Sequence, residues 1–272
     1  PRRVCLCPGC VDPGAAAAPL RLSRVEQCPG SRPNPVIYGR AFDAHILPPS
    51  TIMRAAPTQF GDDAPNEFDG ALQGQVTARD ALRMSLNVPA VMVLDRVGPL
   101  AFTIALQNAG ARLAFPTGGA APTLPVALGG LGISLADITM LYTGIADGGE
   151  ARALRFVTGT SDAPDHRLFG SVAAYYLKQI LRGGALPDGW AMGQGLTRQR
   201  VVAFKTGTSY GSRDAWSTGF SNDYTVGVWV AQADGSPAPG QVGAAPPAPP
   251  LPTPAHLLPP PLRPPAPPPP GA

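Results

Sequence analysis

Phe204-Lys205-Thr206-Gly207-Thr208-Ser209-Tyr210-Gly211-Ser212-Arg213-Asp214-Ala215-Trp216 grows out of the apolar run Val201 to Phe204. A strand that ends in this way presents a cation, hydroxyls and a position without a side chain at one sheet edge, which is the chemistry that holds an anion. Lys205 supplies the charge, Thr206 and Thr208 supply hydroxyl donors, and Gly207 lets a neighbouring chain approach closely. A carboxylate is the ligand this set fits. Taken alone, Lys-Thr-Gly is a short pattern, and a solvated strand end with a glycine bulge has the same letters.

Downstream, Ala215 to Phe220 and Tyr224 to Val230 alternate as strands around a Ser221-Asn222-Asp223 turn, so with Arg200 to Lys205 they predict three adjacent antiparallel strands. Upstream the periodicity is helical. Val36 to Ile46 reads as a helix stopped by Pro48-Pro49, and Thr77-Ala78-Arg79-Asp80 has the spacing of a capping box for a helix from Ala78 to Met84. That helix delivers Ser85-Leu86-Asn87 to a turn, after which Pro89 opens a helix from Ala90 to Val97, closed by Gly98-Pro99. Helices follow over Leu100 to Ala109, from Ser134-Leu135-Ala136-Asp137 to Ala146, and over Val172 to Leu181. Leu135, Ile138, Leu141, Tyr142 and Ile145 recur at helical spacing and predict a mostly buried helix. Helices and an antiparallel sheet together make the fold class α+β.

The chain has 272 residues, a net charge of +3 and 14% charged residues, and shows no basic run interleaved with aromatics, so nucleic acid is not expected as a partner. No apolar stretch approaches the roughly 18 residues of a membrane span. The chain opens on Pro1 and is expected to be a piece of a longer protein. Cys5, Cys7, Cys10 and Cys28 lack the paired Cys-x2-Cys spacing and nearby histidines that hold zinc, so neither a metal nor a cofactor is expected. Residues 1–29 show no apolar period and are expected to be disordered, as is the Pro/Ala-rich tail over 236–272, which is extended in character and could serve proline-binding modules.

Lys205 to Ser209 resembles the Lys-Thr-Gly motif of the penicillin-recognising serine enzymes. Ser85-Leu86-Asn87-Val88-Pro89-Ala90-Val91 resembles their Ser-x-Asn segment. Gly30-Ser31-Arg32-Pro33-Asn34-Pro35-Val36-Ile37-Tyr38-Gly39 resembles the Ser-x-x-Lys segment, with Ser31 at the serine, Pro35 at the proline after the motif, and Asn34 where the family has lysine. Tyr210 to Val230, above all Asp214-Ala215-Trp216-Ser217-Thr218-Gly219-Phe220, is similar to the bifunctional class A penicillin-binding proteins. The resemblance covers residues 30–235.

That resemblance implies a transpeptidase fold with five antiparallel strands and helices on both faces, in which two strands precede the nucleophile helix. Those two strands are not recognisable in the sequence, so the domain is expected to be incomplete at its N-terminal strands, to leave Tyr224–Val230 as an open edge and to be poorly soluble. The resemblance further implies a D,D-transpeptidase that cross-links peptidoglycan stem peptides through an acyl-enzyme on Ser31, on the periplasmic face of the inner membrane, with β-lactams as covalent inhibitors and other cell-wall synthases as further partners. Ser85 would relay a proton, Asn87 would bind a substrate carbonyl, and Lys205, Thr206, Gly207 and Thr208 would form the carboxylate wall. The backbone N–H groups of Ser31 and Thr208 would hold the oxyanion.

Asn34 breaks the pattern, because an amide has no basic lone pair at neutral pH. A positioned base contributes about 10²–10⁴-fold in rate, and Lys205 would substitute for it only poorly, so turnover is expected to be impaired. Read without the resemblance, Ser31 is a helix N-cap and Ser85 a turn serine. Two further readings stay open, an inactive relative that binds peptidoglycan or partner synthases, and a D,D-carboxypeptidase or β-lactamase of the same fold.

Overall fold

The structure, a computed structural model, describes residues 3–10, 24, 26–55, 74–115, 121–154, 166–183, 203–208 and 214–231. In chain order the main elements are strand β1 (Arg3–Cys10), helices α1 (Asn34–Asp43), α2 (Ala78–Arg83), α3 (Asn87–Val97), α4 (Pro99–Asn108), α5 (Leu135–Ala146) and α6 (Ser171–Arg182), and strands β2 (Ala203–Thr208), β3 (Asp214–Phe220) and β4 (Tyr224–Ala231). The sheet runs β1-β4-β3-β2, so Lys205 lies on an edge strand. Both β2–β3 and β3–β4 are antiparallel, as the sequence predicts. Ser221 closes the β3–β4 turn, where its amide donates to the Tyr224 carbonyl at 2.8 Å.

The core is built around α5. Ser134 caps this helix by accepting the Asp137 amide at 3.0 Å and donating to the Asp137 carboxylate at 2.8 Å. Every residue from Leu135 to Ala146 is buried. A helix apolar on all sides must be covered on all sides, and α5 packs on β4, β3, β1 and α6. Register and side-chain alternation place Lys205, Trp216, Thr218 and Trp229 on one face of the sheet. Gly227 shares that face, since a Cβ there would run into Thr139 and Leu135 of α5. The Trp216 and Trp229 rings meet at 5.7 Å between centroids.

The beginning of the chain departs from expectation. Arg3–Cys10, expected to be disordered, pairs along its whole length with β4 from Arg3↔Tyr224 to Cys10↔Ala231. An open strand edge offers unpaired N–H and C=O groups to any extended segment. Pro8, which cannot donate to a ladder, is tolerated because β1 is the outermost strand. The open edge expected at Tyr224–Val230 is therefore covered. Its cover is parallel, so the described sheet has four strands of mixed direction in place of five antiparallel ones. Glu26–Gln27, in the same expected-disordered stretch, pairs antiparallel with Gly132–Ser134. The tail over 236–272 lies outside the described residues.

Helix starts also move. Pro33, not Ser31, occupies the N-cap position of α1, so the N-cap reading of Ser31 does not hold. Asn87, expected in a turn, is the first residue of α3, because Leu86 adopts the extended cap conformation and Pro89 fits the first helical turn.

Candidate active site

Three segments converge on one point. Ser31 Oγ and Ser85 Oγ are 2.9 Å apart, and Lys205 Nζ donates to Ser31 Oγ at 3.1 Å and to Ser85 Oγ at 2.7 Å. The same amine donates to the Thr206 carbonyl at 2.6 Å. Two hydroxyls and an amine so arranged can pass a proton among themselves without any group moving far.

Each member is held by its own element. Ser31 sits on the turn that enters α1, with its carbonyl accepting from the Asn34 amide at 3.3 Å. The loop before it is seated by close backbone packing, since a Cβ on Gly129 would stand 2.6 Å from the Gly30 nitrogen, and Gly129 itself has φ +99°. Ser85 follows α2, whose cap Thr77 accepts the Asp80 amide at 3.1 Å. Ser85 adopts a left-handed backbone, φ 60°. A non-glycine residue held there costs on the order of 1–3 kcal/mol, and the turn uses that conformation to aim the hydroxyl at Lys205. Lys205 itself is 4% exposed on β2.

The sequence did not single out Arg32. It is fully buried, with its guanidinium carbon 4.3 Å from the centroid of the Trp216 ring. A desolvated cation on an indole face gains about 2 kcal/mol. Its backbone is fixed by α5, where the Tyr142 hydroxyl donates to the Arg32 carbonyl at 3.0 Å. Gly207 makes the room: a Cβ there would stand 2.8 Å from Arg32 Nη2. The glycine of the strand thus admits a guanidinium, where the sequence suggested a neighbouring backbone. The signal was present in the letters, as a permanent cation next to Ser31 at the start of an apolar helix.

Burial, and then the positive charge of Arg32, bring the Lys205 amine down to about 7. Burial pushes the Tyr142 phenol well above its usual range, with Arg32 opposing in part, so it stays neutral. Asn34 is 1% exposed, and its Oδ1 has no hydrogen-bond partner among the described residues. Asn87 is half-buried at the start of α3. Thr206 is half-buried on the opposite face of β2 from Lys205, so it enters this cluster through its carbonyl. Thr208 pairs with Ala215 at the end of β2. No group of three or more His, Cys, Asp or Glu side chains gathers as a metal site among the described residues.

A strand-borne Lys-Thr-Gly meeting two serines from separate helical turns, on a sheet packed against helices, defines a transpeptidase class of fold. Residues 20–242 match the penicillin binding protein transpeptidase domain family, and the chain belongs to that family. It is 40% identical over 221 residues to penicillin-binding protein 1C of Escherichia coli (strain K12), covering 80% of this chain and 28% of that protein. It is 27% identical over 227 residues to penicillin-binding protein 1F of Bacillus subtilis (strain 168), covering 77% of this chain and 31% of the relative. The chain thus spans under a third of either protein. The fold matches the solved penicillin-binding protein PonA1 of Mycobacterium tuberculosis with a TM-score of 0.66 at 20% identity, over 82% of this chain and 65% of that one. The resemblance read from Ser31, Ser85 and Lys205 is borne out at the level of family and fold.

Proposed function

We propose that this chain carries the D,D-transpeptidase unit of a bifunctional cell-wall synthase, with residues 30–235 as the domain and Ser31 as the acyl carrier. The observation that supports this most directly is the hydrogen-bonded triangle of Ser31, Ser85 and Lys205. In this reading Ser31 Oγ attacks the carbonyl between two D-alanines of a stem peptide. The C–N bond breaks, the leaving amine takes a proton through Ser85, and a neighbouring stem's amine then resolves the ester into a cross-link. The backbone N–H groups of Ser31 and Thr208 hold the oxyanion. Asn87 binds a substrate carbonyl, and the backbone of Thr206, Gly207 and Thr208, not the Thr206 hydroxyl, which faces away, lines the carboxylate end beside Lys205.

Stem peptides are the substrates, on the periplasmic face of the inner membrane, and other cell-wall synthases are the expected partners. β-Lactams acylate the same serine; PonA1, which shares the fold, has been solved in complex with penicillin V. Mass spectrometry of the chain after exposure to a penicillin tests the proposal. A single adduct on the peptide containing Ser31, lost in Ser31→Ala, is the expected result, and an adduct that persists in Ser31→Ala overturns it.

Asn34 favours one second reading, a domain that binds stem peptides without turning them over. Stem-peptide binding with no acyl-enzyme at any pH would select it. Release of D-alanine without cross-linked product would instead indicate a carboxypeptidase.

A further inference from the structure

Where the family carries the motif lysine this chain has Asn34, yet an amine stands against Ser31 all the same. It comes from the strand. As an ammonium Lys205 donates to three oxygens, and once deprotonated it has two N–H groups and one lone pair to share among the same three. The Thr206 carbonyl at 2.6 Å and Ser85 Oγ at 2.7 Å take the two N–H groups. The longest of the three contacts, in which Nζ donates to Ser31 Oγ at 3.1 Å, is then the one that can reverse, with the lone pair accepting the Ser31 proton.

A second cation stands in the site. Arg32, next to Ser31 in sequence, lies buried on the Trp216 ring and against Gly207, two residues along β2 from Lys205. A guanidinium keeps its charge at any pH a protein survives, so it repels a proton on Lys205 without ever competing as a base. Among the described residues, Lys205 meets the Ser31 and Ser85 hydroxyls, the Thr206 carbonyl and the charge of Arg32, with the neutral Tyr142 phenol bonded behind at the Arg32 carbonyl. None of these is a carboxylate that would hold the ammonium.

We infer that Lys205 is the general base that takes the Ser31 proton in this chain, in place of the lysine missing at Asn34, and that Arg32 is the positioning residue that keeps its lone pair available. The inference rests on Ser31 being the acyl carrier. As Ser31 Oγ bonds to the carbonyl carbon, its proton moves to Nζ. As the C–N bond breaks, Nζ returns a proton to Ser85 Oγ while the Ser85 hydroxyl proton goes to the departing nitrogen. The net transfer is one proton from Ser31 to the leaving amine, and Lys205 and Ser85 end as they began. Burial with Arg32 nearby, which brings Lys205 to about 7, leaves a large neutral fraction at neutral pH.

The test is the second-order rate of labelling by a fluorescent penicillin, from about pH 5.5 to 9.5, on the full chain and on Lys205→Arg, Arg32→Met and Asn34→Lys. The parent is expected to label Ser31 with a rate that rises through a midpoint near 7. Lys205→Arg keeps the charge without a usable lone pair, and its rate should fall by about a hundredfold or more. Arg32→Met should move the midpoint upward by about one pH unit or more, because a neighbouring cation has been removed. That shift reads the same amine without altering it, so it stands even where Lys205→Arg does not fold.

Lys205→Arg that labels at the parent's rate and midpoint overturns the base assignment, and an unmoved midpoint in Arg32→Met overturns the role of Arg32. If the parent is silent at every pH while Asn34→Lys labels on Ser31, Lys205 is not the base although the acyl-transfer site is real. If neither labels, the acyl-transfer reading itself fails.

Discussion

The corner that enters α1 and the strand β2 face each other across the candidate site, and they differ in how they keep to the family pattern. The strand retains Lys205, Thr206 and Gly207 in order, while the corner keeps Ser31 and Pro35 but sets Arg32 beside the serine and Asn34 at the lysine position. Arg32, at a position the motif leaves free, is the corner's link to the strand. No cation stands at position 34, one is buried next to the serine at Arg32, and the glycine of the strand leaves the gap that receives it. A motif read letter by letter registers only the loss.

The interlock between corner and strand can be broken most severely at Trp216. Trp216→Ala removes the fully buried ring under Arg32 and its partner surface on Trp229. A loss of about 3–5 kcal/mol is expected from the cavity alone, read by urea denaturation. A loss below about 1 kcal/mol, the scale of a surface substitution, would mean that the corner does not lean on the strand.

Gly207→Ala tests the gap from the strand side, since the added carbon would stand 2.8 Å from Arg32 Nη2. Overpacking of this kind costs about 1–3 kcal/mol, and the penicillin-labelling rate should fall with it. Unchanged stability and rate would show that Arg32 moves aside freely.

The strand's own charge gives a graded test. The folded state holds Lys205 near 7, below its unfolded value of 10.5, so the unfolded chain binds more protons between those limits. The sign follows directly: this residue's contribution is least favourable below pH 7 and improves as pH rises toward 10.5, with a slope of up to about 1.4 kcal/mol per pH unit. In Lys205→Met that part of the rise should vanish from stability measured against pH. An identical slope in parent and variant would place the ammonium in contact with water.

The smallest effect is expected at the third segment. Thr77→Ala removes the cap of α2, the helix that carries Ser85. About 1 kcal/mol of stability should be lost, with the midpoint of the labelling pH profile unmoved because neither Lys205 nor Arg32 is touched.

Legibility in the sequence followed the range of the interactions involved. The caps at Thr77 and Ser134 and the buried face of α5 depend on residues three or four apart, and the spacing alone announced them. The convergence of Ser31, Ser85 and Lys205 spans separations of 54 and 120 residues, and it became legible through family motifs rather than periodicity. Arg32 was legible only as a cation beside Ser31, because where it settles depends on Gly207 and Trp216, far along the chain. Strand β1 was illegible for a related reason. Its mix of Cys, Pro and Gly carries no alternating pattern, and what orders it is the bare edge of β4.

Pairing of Arg3 with Tyr224 also sets a schedule. On the ribosome, β1 emerges long before its partner, and every residue of α1 to α6 must be made before the ladder can form. Contacts between such distant parts of a chain form slowly and leave strand edges open to other molecules in the interval. The first strand of this sheet waits for the last, so a ribosome that stalls before residue 224 releases helices that have a core to bury and at most the β2–β3 pair to close it.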